Sequence, residues 1–199
     1  MEELLMKEIL GNTRKLTFLG VMLALTIVFV AITAIPSPTA TTMAWFMFIP
    51  TIVTSIVMGP KAGALMGFCA GVATLLRALL APLTPFDVFF LNPLVSVLPR
   101  IFVGVVPYMI YTPLKAIFRK SPNGDKIAIL AAGASGAITN TALVMTALYL
   151  IFVQEIIDLV GVPFKALLIS IITTSSVTEA LIAAILTLPV VLAYKKIYR

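Results

Sequence analysis

The chain has 199 residues, of which 61% are hydrophobic and only 11% charged, far from the roughly half-apolar, quarter-charged balance of soluble domains. Histidine is absent and cysteine occurs once, as Cys69, which excludes a disulfide framework, a thiolate metal site and histidine-based acid–base chemistry. The net charge of +6 is spread between apolar runs rather than gathered on one polar segment, a pattern of membrane proteins rather than of nucleic-acid binders.

The first ten residues, MEELLMKEIL, are charged and helix-like. The apolar run that follows is too long for the core of a signal peptide and has no clear cleavage site, so no cleavable signal is expected. Runs near the ~20 residues needed to cross a hydrocarbon core of about 30 Å fall at residues 16–35, 43–58, 62–81, 88–112, 127–152 and 166–194. The reading is an all-α polytopic membrane protein of six helices, with residues 1–199 forming a single domain. Helices are required because a strand in lipid needs a closed barrel and would show polar alternation.

Span one carries Gly20 and Ala24, a small-xxx-small pair of the kind that lets helices approach closely. The stretch IPSPTATTMAW that follows is too rich in proline and threonine for a regular helix. It is expected to close over a solute, with Met43 and Trp45 as an apolar cover; Trp45 also suits an interfacial anchor, as do Tyr194 and Tyr198. GPKAG makes a tight turn into span three, where Gly63, Gly67 and Gly71 recur at every fourth residue as a packing stripe. Arg77 sits about one turn from the end of that span, either snorkelling to the interface or forming a cationic rim. In APLTPFD, Asp87 is a candidate N-cap for span four.

Span four contains LNPLVSVLPRIF. Arg100 lies about 12 residues into it, roughly 18 Å deep at 1.5 Å per residue. Pro99 frees a carbonyl one turn back, and Asn92 and Pro93 loosen the helix nearer its start. Asn140, within the triplet Thr139-Asn140-Thr141 of span five, and Glu179 in span six are expected at a similar depth. Such groups are costly in the bilayer, at least about 2.5–3.5 kcal/mol for a charge at the helix centre, and so should face the bundle interior. Two readings stand for Arg100: it receives an anionic group, or it pairs with Glu179 and locks spans four and six together.

Lysine and arginine set the orientation. Eleven of them, from Lys7 to Arg199, fall before span one, between spans two and three, between four and five, and after six, whereas the opposite loops hold only Lys165. Both termini are therefore expected in the cytoplasm. No phosphate loop, HExxH or GxSxG is present, and the intramembrane acids are not paired, which argues against an ATPase or an intramembrane enzyme. No internal repeat marks a two-half transporter; the rival from another class is a small gradient-driven transporter using Glu179. No cofactor or metal is expected.

The segments MGPKAGALMGFCAG, SVLPRIFVG and GAITNTALV, with the length, the basic inner face and the capping segment after span one, resemble the substrate-binding S components of energy-coupling factor (ECF) vitamin transporters, over essentially the whole chain. They look most like the subgroup assigned to pantothenate, with pyridoxine-type carriers as close relatives. The resemblance implies a bacterial, multi-pass binding subunit that captures a water-soluble vitamin and works with a transmembrane coupling subunit and two ABC-type ATPases. It implies docking on that subunit through the Ala-xxx-Ala site of helix one, here Gly20 and Ala24. The candidate ligand groups are Trp45, Arg77, Asn92, Arg100, Asn140 and Thr141.

Overall fold

The computed structural model describes residues 13–35 and 46–197. The described residues form helices throughout: α1 (Thr13–Ile32), α2 (Ile49–Met58), α3 (Pro60–Leu80), a 3₁₀ segment (Pro85–Leu91), α4 (Pro93–Ser96), α5 (Leu98–Ile117), α6 (Gly124–Val160), α7 (Phe164–Ile171), a π segment (Ile172–Ser176) and α8 (Val177–Ile197). Five stretches, Thr13–Ile32, Pro60–Leu80, Pro93–Ile117, Gly124–Val160 and Phe164–Ile197, are long and apolar enough to cross a membrane.

The second run departs from expectation. Helix α2 has ten residues, about 15 Å at the helical rise, half of what a crossing needs. It is instead the axis of the bundle, packed against α1, α3, α5, α6 and α8, with every residue from Ile49 to Ile56 buried. Gly59 ends it at φ +95°, a conformation open to glycine but not to residues with a Cβ, and Pro60 then opens α3 at a position where its missing N–H costs nothing.

The glycine stripe of α3 meets α4 and α5 along their backbones. A Cβ on Gly63 would overlap the carbonyl of Gly104, one on Gly67 would overlap the carbonyl of Arg100, and one on Gly71 would lie 2.6 Å from the Cα of Val97. This backbone-to-backbone seam fixes where α5 sits, and with it Arg100. Gly67→Val is therefore expected to cost about 3 kcal/mol or more, the scale of severe overpacking in a rigid core. The yield of monodisperse protein in detergent, by size-exclusion chromatography, checks this, and a wild-type yield with unchanged melting temperature would refute the seam.

Two apolar clusters fill the molecule. One surrounds α2 with Ile52, Val53, Met66, Val103 and Ile129. The other lies at the far end, where Phe89, Val95, Leu148, Ile156 and Phe164 pack together. Helix α6 breaks its helical geometry at Phe152 (φ −128°, ψ 18°), and the Phe152 ring lies 5.1 Å from that of Phe89. The kink thus turns the end of α6 over the 3₁₀ segment. At the lysine-rich end Lys195 bonds both oxygens of Asp125, at 2.6 and 2.8 Å, and donates to the Tyr111 hydroxyl at 2.6 Å; this ties α8 to α5 and α6.

Candidate functional site

The geometry around Arg100 follows from the proline before it. Proline has no N–H, so Pro99 cannot bond the carbonyl of Val95. The Arg100 guanidinium does so instead, its Nη1 donating at 2.8 Å to that oxygen. Its Cζ stands 5.4 Å from the centre of the Phe90 ring, a cation–π contact. The residue is only 4% exposed, yet its Nε has no hydrogen-bond partner. Buried polar atoms are nearly always paired, so the unused donor on this buried guanidinium is an exception.

Asn140 has the complementary feature. It is 8% exposed, and its side-chain carbonyl Oδ1 also lacks a partner. Glu179 is half-buried on α8, less than one turn past the π segment Ile172–Ser176. Arg100 and Glu179 are close enough for their charges to interact through space. The direct ion pair that would lock spans four and six is not formed. The ion pairs among the described residues join Arg77 to Asp87, and Lys115 and Lys195 to Asp125.

Arg77 neither snorkels alone nor stands as a free rim. It is paired with Asp87, and both side chains are largely buried. Asp87 in turn does not cap span four. Its Oδ2 accepts the backbone N–H groups of Leu83 at 2.8 Å and Thr84 at 2.9 Å, which closes the turn before the 3₁₀ segment. Burial pushes the Asp87 carboxyl up, but the N–H groups of Thr84 and Leu83 and the Arg77 guanidinium outweigh it and hold the pKa below the usual carboxylate value. Its contribution to stability is complete above the ordinary carboxylate pKa and disappears as the pH falls through the lowered value.

Asn92 takes the capping role instead, its Oδ1 accepting the N–H of Leu94 at 2.9 Å at the start of α4. Thr141 is buried beside Asn140 in sequence and lines a cavity of about 540 Å³ between α6, α7 and the π segment, which Arg100 and Asn140 do not line. Trp45 and Met43 lie outside the described residues. Gly20 and Ala24 are both exposed on α1, and a Cβ added to Gly20 would meet nothing within 4 Å.

The chain matches the family model described as "ECF transporter, substrate-specific component" over residues 14–191. It belongs to that family. The ECF substrate-specific components are transport subunits, so this is a membrane transport protein and not an enzyme. It is similar to the pantothenic acid transporter PanT of Lactococcus lactis subsp. cremoris, 32% identical over 164 residues, covering 75% of this chain and 76% of the relative.

Several polar groups of this ECF component do not stand out in the sequence. The hydroxyls of Thr51 and Ser55 on α2 and of Thr187 on α8 are buried without partners. The π segment interrupts a helix that reads as continuous; such widened turns concentrate at functional sites. Their signal was present as small polar residues within apolar runs, PTIVTS and ISIITTSS, but hydroxyls can bond back to their own helix and so carry little information alone.

Proposed function

We propose that this chain is the solute-capturing subunit of an ECF importer for pantothenate in a bacterial cell membrane, with six membrane passes, the second of them made with the short buried helix α2, and both termini in the cytoplasm. The placement of eleven basic residues in alternate inter-span segments supports that orientation. The ligand reading is carried by one observation: two buried polar side chains, Arg100 and Asn140, keep a donor and an acceptor unused. Among the described residues Arg100 makes no direct ion pair, so its charge is available to an anion. A guanidinium holds a carboxylate through two parallel hydrogen bonds. Pantothenate supplies a carboxylate, and also an amide and hydroxyls for Asn140 and the Trp45 segment. The similar transporter from Lactococcus lactis points the same way.

Arg77, held by Asp87, acts at the entrance by fixing the 3₁₀ segment and not as a free cation. Gly20 and Ala24 dock the transmembrane coupling subunit, and ABC-type ATPases drive the cycle, since no nucleotide motif occurs in this sequence. Calorimetry of the purified subunit against a panel of water-soluble vitamins tests the reading. Pantothenate is expected to bind tightly and pyridoxine weakly; the reverse order would end the anion reading. Reconstituted alone in vesicles, the subunit is expected to bind pantothenate without accumulating it. Uptake driven by a proton or sodium gradient would instead favour a secondary transporter.

A further inference from the structure

At the lysine-rich end, the inner tips of α5, α6 and α8 form an open cleft of about 750 Å³ whose wall carries Lys115, Lys126, Lys195 and Lys196. Asp125 is the acid among these lining groups, and its carboxylate is occupied by Lys195 and Tyr111. Among the described residues, positive charge therefore remains in excess along a concave site. Asp125 and Lys126 also stand in the first turn of α6, where the helix dipole adds positive potential and amide N–H groups lack intrahelical acceptors. Leu192 contributes an apolar patch to the same wall.

We propose that this cleft binds the phosphate headgroup of an anionic phospholipid from the cytoplasmic leaflet, with Lys126 and Lys196 as its principal contacts. Basic pockets between membrane helices on this side suit such headgroups. The inference rests on the orientation given above but not on the identity of the vitamin. Lys126 and Lys196 are exposed and lie outside the hydrogen bonds that join Lys195, Asp125 and Tyr111, so replacing them leaves that tie between helices intact.

The test uses the full chain purified in detergent, with the melting temperature followed during titration. Phosphatidylglycerol is expected to raise it saturably, and phosphatidylcholine and inorganic phosphate to have little effect. In Lys126→Gln/Lys196→Gln the half-saturating phosphatidylglycerol concentration is expected to rise about 30-fold, equivalent to about 1 kcal/mol for each lysine. The Lys126→Arg/Lys196→Arg variant should retain the wild-type value, which separates loss of charge from misfolding. Equal stabilisation by phosphatidylcholine would reduce the site to an apolar groove and overturn the proposal. So would inorganic phosphate acting as strongly as the lipid, because the source would then be soluble. A Gln variant that titrates like wild type would also overturn it.

Discussion

Arg100→Gln is expected to weaken pantothenate binding by about 100- to 1,000-fold, the range set by removing one partner of a buried, hydrogen-bonded charge pair, about 3–4 kcal/mol. The guanidinium is buried and its Nε is unused by the protein, so the solute carboxylate would supply the missing acceptor and most of the compensation for a buried charge. Glutamine keeps hydrogen-bonding capacity but loses the charge and the two-pronged geometry. Because Arg100 also bonds the Val95 carbonyl at 2.8 Å, fold integrity has to be read independently, by melting temperature and gel filtration. Calorimetry then reports the loss. Wild-type affinity in a folded Arg100→Gln protein would show that the arginine serves only the carbonyl freed by Pro99.

Gly20→Leu/Ala24→Leu is expected to abolish vitamin uptake by the assembled importer while the isolated subunit binds vitamin with unchanged affinity. Helix α1 buries only Met22, Thr26 and Val30, a single stripe at four-residue spacing. Its opposite side, with Val21, Ile27 and Val28 at least half exposed, is apolar and not covered by any of the described residues. Gly20 and Ala24 cut a shallow notch into that face. Since no described atom lies within 4 Å of a Cβ at Gly20, added bulk there starts in open space. It would instead hold a partner helix away, and close-packed membrane contacts fall off steeply with separation. Uptake of labelled pantothenate into cells or vesicles carrying the complete complex measures the first arm, and calorimetry the second. Lost binding in the isolated variant, or normal uptake by the complex, would place docking elsewhere.

Much of this architecture is legible in the sequence. The helical class and the approximate limits of the long apolar segments follow from hydropathy, because a backbone in hydrocarbon must satisfy its hydrogen bonds locally. The stripe Gly63, Gly67 and Gly71 announced a close contact for the same kind of reason: helical spacing alone puts the three on one face. Pro99 even disclosed that a carbonyl one turn back would be unpaired. The second run was harder. Its hydropathy resembles that of a span, but the described helix is ten residues long with Ile49 to Ile56 buried inside the bundle, which hydropathy cannot distinguish from contact with lipid.

What the sequence determined by itself, then, was what each segment must be: apolar, helical, closely packed at its glycines, and burdened with a few polar groups at depth. The tertiary structure decided which groups those residues meet. Arg77 and Asp87, ten positions apart, become partners only because the turn between them folds back. Lys195 meets Tyr111 across 84 positions, and Arg100 takes the Val95 carbonyl rather than a direct bond to Glu179. Propensity and hydropathy act over a few residues, whereas a charge selects among all the acceptors that the packed helices bring within about 3 Å, and that choice exists only once the helices have packed.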